Sequence, residues 1–134
     1  NTHSISLAAK GLKDSCLLLD GDLLINKNSF QEFIDKFDGK SSLIGITESK
    51  TDNAVYVELN EKDEVKKFSR EVKTNNEWSG IVCLNDIQIT DEHPYLYQIL
   101  ENFLPLKAKN IICSEIDTAD DLKRAQHLWR KQFA

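Results

Sequence analysis

The stretch Cys16-Leu-Leu-Leu-Asp20-Gly21-Asp22-Leu-Leu-Ile25 decides how the remainder of the chain is read. It is an apolar run interrupted once. Such runs read as a strand covered on both faces, the habit of a parallel sheet. Two unpaired carboxylates do not fit inside such a strand, because taking a charge out of water is costly. Asp20 and Asp22 are therefore expected where the strand leaves the core, at the carboxyl end of the sheet. Gly21 lets the backbone turn there and lets a ligand come close. Ligands of open α/β sheets bind at that edge. Two carboxylates one residue apart suit a hard divalent cation carried with a phosphate. The same three residues also make an ordinary turn, since Asp and Gly are turn formers.

On the amino-terminal side, Asn1 to Asp14 offers Thr2 or Ser4 as a cap and sets Ile5, Leu7, Ala8, Ala9 and Leu12 on one face, which predicts a helix weakened near Gly11. On the other side, Asn26-Lys-Asn28 reads as a turn. Ser29 then caps a helix that carries Phe30, Phe33, Ile34 and Phe37 into the core and stops at Asp38-Gly39. Leu43 to Thr47 is a strand. Ala54–Leu59 and Glu64–Ser69 alternate around Asn60-Glu-Lys-Asp63, the pattern of a hairpin. Val55, Val57 and Leu59 share one face, while Val65 and Phe68 break the alternation as a bulge would. Arg70 to Asn76 is polar and reads as a mobile loop, and Glu77-Trp-Ser-Gly80 leads into a strand over Ile81–Leu84. Tyr95 to Phe103 is helical and ends by Pro105. Ile111 to Ile116 is the last strand. Thr118 caps a final helix with Leu122, Ala125, Leu128 and Trp129 on its apolar face. The order predicts one α/β domain, residues 1–134, with a mixed sheet.

A chain of 134 residues with 40% hydrophobic and 29% charged content can bury a real core. A net charge of −5, with no basic block or basic helix face, excludes a general nucleic-acid binder. No apolar stretch is long enough to span a bilayer, and none reads as a secretory signal. Cys16, Cys83 and Cys113 each lie in an apolar strand-like run. An odd number without pair spacing reads as buried free thiols and points to the cytoplasm. No Cys/His cluster has zinc spacing. The sequence has no Met, so Asn1 is read as the start of a processed or partial chain.

The second informative stretch is Glu115-Ile-Asp117-Thr-Ala-Asp120-Asp121-Leu122. A helix cap with acidic residues in its first turn explains Thr118, Asp120 and Asp121. It leaves Asp117 unexplained, at the mouth of a strand like Asp22. Two carboxylates from different strand ends that converge on one point can hold Mg²⁺ between them.

Four pieces in order resemble the sugar-phosphate and choline-phosphate nucleotidyltransferases. They are Ser4-Ile-Ser-Leu-Ala-Ala9 before the strand, Leu18-Leu-Asp-Gly-Asp22, Trp78-Ser-Gly-Ile81, and Glu115-Ile-Asp-Thr-Ala-Asp-Asp-Leu122. In the last piece Ala119 stands where the family has Pro, at a first helical position that tolerates either. The resemblance implies a three-layer GT-A-like mixed sheet. It also implies transfer of a nucleotide from an NTP, with CTP preferred, to a phosphorylated acceptor such as phosphocholine or a sugar phosphate, releasing pyrophosphate. The catalytic residues implied are Asp22 and Asp117, which hold Mg²⁺, with Asp20 as a further or outer ligand. Trp78 and Gly80 are implied beside the acceptor, where an aromatic face suits a quaternary ammonium; core packing is the other reading of Trp78. Arg70 and Lys73 are expected to meet the acceptor phosphate, or else to be a solvated basic loop.

The resemblance spans the carboxyl-terminal two-thirds of such an enzyme. The family's amino-terminal nucleotide-binding strand and its glycine-rich Arg/Lys loop have no counterpart, since the five glycines are scattered. Activity is therefore expected of a full-length protein, and weak nucleotide binding of the isolated chain, with a homo-oligomer allowed. Three alternatives stand beside this reading: a GT-A glycosyltransferase, a phosphatase-like hydrolase with Asp20 as nucleophile (its signature is incomplete at Leu24), and a non-catalytic association domain.

Overall fold

The computed structural model describes residues 2–10, 12 and 14–133. Expectations that rest on Asn1 and Gly11 fall outside them. Six strands hydrogen-bond in the order β1 (Cys16–Leu19), β6 (Asn76–Leu84), β3 (Leu43–Glu48), β7 (Leu106–Asn110), β5 (Glu64–Ser69) and β4 (Tyr56–Leu59). β4 also pairs with β6, Tyr56 opposite Glu77 and Val57 opposite Asn76, so the sheet curls back on itself. β3 and β7 run parallel and the other pairs are antiparallel, which is the mixed α/β arrangement expected. A separate antiparallel ribbon joins β2 (Leu23–Ile25) to β8 (Cys113–Glu115).

The Asp20-Gly21-Asp22 run differs from its expectation. It does not end one strand buried on both faces; it carries the chain from the large sheet to the small ribbon. β1 lies at the edge of the sheet, and its residues alternate between half-buried and exposed, with Leu17 38% and Leu19 46% accessible. An edge strand with one covered face has that alternation whatever its composition. The doubly buried role falls to β3 and β6. Ile44, Ile46, Val82 and Leu84 pack into one cluster with Leu96, Ile99 and Leu100 of α3 (Leu96–Leu100). Leu43, Ile81 and Cys83, offset by one residue, pack into a second cluster with Phe33 of α2 (Lys27–Lys36). Alternate side chains of the same strands thus feed opposite faces. The expected core residues Phe30, Ile34 and Phe37 join the second cluster.

Local chemistry shifts several boundaries. Asn26, not Ser29, caps α2: its side-chain oxygen accepts the Ser29 N–H at 2.9 Å. Ser29 lies in the first turn, where its hydroxyl accepts the Ile112 N–H at 3.0 Å and ties the helix to the approach to β8. The hairpin forms as expected, with a register shift between Glu58 and Leu59. β6 begins at Asn76, five residues before the expected Ile81, and passes through Gly80, where its register against β3 shifts between Ile44 and Ile46. β7 was not foreseen. Its Lys107 and Lys109 disguise a strand whose ammonium groups reach out to Asp38 and Glu32. The expected strand Ile111–Ile116 shortens to β8, with Ile111 buried in the second cluster. The amino-terminal helix α1 covers Thr2–Ala8. On the final helix α4 (Ala119–Leu128), Ala125 is buried, while Leu122 stays 47% exposed and Trp129, just beyond it, 44%. Trp129 is therefore not the core residue that helical spacing suggests. Cys16, Cys83 and Cys113 are free thiols, the last two buried. No helix among the described residues is long and apolar enough to cross a membrane.

Candidate active site

The ribbon explains how distant acids meet. In its antiparallel register Leu23 lies opposite Glu115, and the Ile116 N–H donates to the Asp22 carbonyl at 2.9 Å. The residue before β2 is thereby brought beside the residues that end β8. One carboxylate oxygen each from Asp22, Glu115 and Asp117 lie within 4.8 Å of one another, and all three residues are exposed. Among the described residues no ion pair neutralises any of them. Glu115 was not singled out from the sequence. The signal was present, because residues two apart at a strand end point to the same side, so a ligand role for Asp117 draws in Glu115.

Asp20 takes a neighbouring place. Its N–H donates to the Gly80 carbonyl at 3.0 Å. Its carboxyl lies where a Gly80 side chain would be: a Cβ at that glycine, whose φ is +75°, would come 2.3 Å from Asp20 Oδ2. Only glycine meets both conditions. Burial, then the nearby Asp22, pushes the Asp20 carboxyl up from its ordinary value. Burial raises Glu115 as well, followed by repulsion from Asp117, Asp22, Asp20 and Glu77. The site is a concentration of like charge that favours either protons or a cation.

Beside the carboxylates is a cavity of about 340 Å³ whose wall includes Asp20, Lys50, Trp78, Gly80, Glu115 and Arg124. Trp78 and Gly80 both lie on that wall. The Trp78 ring is also held from behind. Its Nε1–H donates to the Ile81 carbonyl at 3.1 Å, and Phe68 lies 6.3 Å from it, ring centre to ring centre. Arg70 and Lys73 do not line the cavity. The Arg70 guanidinium donates to Asn53 at 2.8 Å and lies 5.3 Å over the Tyr95 ring, and Lys73 pairs with Asp52 at 2.7 Å. The cations on the wall are Lys50, just past β3, and Arg124, on the second turn of α4. The Lys50 ammonium donates to the Cys113 carbonyl, and Arg124 pairs with Asp121. Thr118 caps α4, and its hydroxyl accepts the Asp121 N–H at 3.1 Å. Hydrogen bonds from Thr118 and then Arg124 hold the Asp121 carboxyl down to about 2.

Three exposed carboxylates without a nitrogen or sulfur donor form a hard oxygen set. That set fits Mg²⁺, which keeps several waters and needs few protein ligands.

No protein-family model matches the sequence, and no curated protein matches it. Solved structures do match the fold. The inositol-1-phosphate CTP transferase of T. maritima superposes with a TM-score of 0.76 at 17% identity, over 99% of this chain and 62% of that one. A Bacillus anthracis protein assigned as a glucose-1-phosphate thymidylyltransferase gives 0.71 at 14% identity, over 97% and 61%. The CTP:phosphocholine cytidylyltransferase of Streptococcus pneumoniae gives 0.71 at 14% identity, over 96% and 63%. These structural neighbours are nucleotidyltransferases, and at such identities the property shared is the fold. The chain spans about three-fifths of the length of each.

Proposed function

We propose that this chain is the acceptor-side and metal-binding portion of a nucleotidyltransferase, one that joins CTP to a phosphorylated small molecule and releases pyrophosphate. The observation that carries the reading is the meeting of Asp22, Glu115 and Asp117 beside a cavity, on a fold shared with such enzymes. In this reading residues 1–134 form a single GT-A-like domain with a three-layer arrangement. The nucleotide phosphates are held mainly by residues outside them, so the isolated chain binds CTP weakly.

Asp22 and Asp117, with Glu115, would hold Mg²⁺, which supplies charge neutralisation at the nucleotide's α-phosphate and at the departing pyrophosphate. Asp20 stands behind them, fixed against Gly80. The acceptor enters the cavity against Trp78 and the bare backbone at Gly80. Its phosphate oxygen is already ionised at neutral pH and attacks without a general base, so the residues of the cavity act by orientation and charge placement. Phosphocholine and sugar phosphates are the acceptors considered.

The test is a pyrophosphate-release assay on the complete gene product, supplied with CTP, Mg²⁺ and phosphocholine or a sugar 1-phosphate. Pyrophosphate stoichiometric with the nucleotidyl product is expected. Release of a nucleoside diphosphate would instead make the protein a glycosyltransferase. Labelled phosphate trapped on Asp20 would make it a hydrolase.

A further inference from the structure

Two cations, Lys50 and Arg124, line the cavity, and two more, Arg70 and Lys73, are the ones the sequence favours; three of the four already have a partner for their charge or their donors. Lys73 is neutralised by Asp52 and Arg124 by Asp121, while Arg70 is committed to Asn53 and the Tyr95 ring. Lys50 differs. Its backbone N–H donates to Glu77 Oε2 at 3.1 Å, which anchors its root beside the cavity. Its ammonium donates to the carbonyl of Cys113, two residues before Glu115 on β8. That partner is neutral. Among the described residues no carboxylate forms an ion pair with Lys50, so its charge remains whole. An ammonium has three donors, and one hydrogen bond leaves two for a ligand.

The surrounding wall makes this charge necessary. Asp20, Glu77, Glu115 and Asp121 all line the same cavity, and with Arg124 already paired to Asp121 a phosphate dianion entering it needs a further cation to offset the repulsion. We infer that Lys50 is the residue that seats the acceptor's phosphate, which makes it a specificity-determining cation for phosphorylated over unphosphorylated acceptors. This rests on the proposed nucleotidyl transfer for its biological meaning, but the phosphate site stands on its own geometry. An oxyanion held at Lys50 lies beside the strand that carries Glu115, next to the Asp22–Asp117 cluster where the nucleotide's α-phosphate would be.

The test has two arms. In the first, inorganic phosphate is titrated into the 134-residue protein and followed by amide NMR. Saturable shifts are expected at Lys50, Thr51 and Ser114. Lys50→Gln should weaken the affinity about tenfold or more, as loss of one charged hydrogen bond does. Lys50→Arg should retain most of it, and Lys66→Gln, on the remote hairpin, should leave it unchanged. Wild-type affinity in Lys50→Gln overturns the inference, as do a larger loss in Lys73→Gln, shifts centred on residues 70–76, or no saturable shift at all. In the second arm, the complete gene product carrying Lys50→Gln is assayed with CTP and each acceptor, and a rise in KM for the acceptor without a matching rise for CTP is expected. An unchanged acceptor KM with normal pyrophosphate release overturns the Lys50 role and leaves the nucleotidyltransferase reading intact. Phosphate binding through Lys50 with no pyrophosphate from any acceptor does the reverse.

Discussion

Asp117 and Asp121 are four residues apart and meet opposite fates. Asp121 has donors on every side: the Thr118 hydroxyl and N–H, its own place in the first turn of α4, and the Arg124 guanidinium. Its carboxyl is held down to about 2, and it closes a capping box. Asp117 sits one step before the cap of the helix, beside two other carboxylates, and no ion pair among the described residues neutralises it. A chain that needed only helix caps would have no reason to gather Asp22, Glu115 and Asp117 at one point, because like charges side by side cost stability. On the proposed reading, the contrast separates an acid that serves the fold from acids that would hold a cation.

The largest expected effect breaks the pair apart through activity. Asp117→Asn or Asp22→Asn in the complete gene product should lower kcat by roughly 10²–10³, the scale of a lost electrostatic stabiliser. Asp121→Asn should leave kcat within a few-fold of wild type while lowering thermal stability. Equal kinetic losses at positions 117 and 121 would erase the distinction. Next in size, Gly80→Ala forces a side chain into the space of the Asp20 carboxyl at a positive φ, and should cost about 1–3 kcal/mol in urea unfolding. Asp20→Ala combined with Gly80→Ala should recover part of that loss by removing the clash.

A smaller loss is expected at the cap. Thr118→Ala should cost about 1 kcal/mol. The stabilisation from Asp121 itself is present above its ordinary value of 3.8 and is lost as pH falls through about 2, so acid should unfold the wild type more steeply than Asp121→Asn. Glu115 has the opposite sign. Its folded-state value is raised, so its favourable contribution is present below 4.5 and is lost as pH rises through the raised value. Glu115→Gln should therefore stabilise the metal-free protein at neutral pH by roughly a few tenths of a kcal/mol after solvent screening. Excess Mg²⁺ should remove that advantage, and differential scanning calorimetry with and without the ion measures both effects.

Much of this contrast was legible before any coordinates. Asp117 stood out because a helix cap accounts for Thr118, Asp120 and Asp121 and stops there. The Asp20–Asp22 pair stood out because charge interrupts an apolar run. Less legible was how the two stretches meet, since β2 and β8 are three-residue strands too short for a periodic signal. β7 was hidden by its lysines, and the edge position of β1 by leucines that look the same whether one face or two are covered. Loop position favoured Arg70 and Lys73 as phosphate ligands, yet their partners Asn53 and Asp52 come from the loop before β4, a pairing no local pattern records. Lys50 was missed for the matching reason: its place on the cavity wall follows from the pairing of β3 with β6, not from its neighbours in sequence.

The most direct test of the carboxylate cluster as a cation site is a Mn²⁺ titration of the chain followed by paramagnetic broadening of its amide resonances. Residues 21–23 and 115–118 should broaden first, and Asp22→Asn or Asp117→Asn should abolish that selectivity while Asp121→Asn preserves it. Broadening that begins around residues 120–124, or spreads evenly over the acidic surface in wild type and variants alike, would contradict the account.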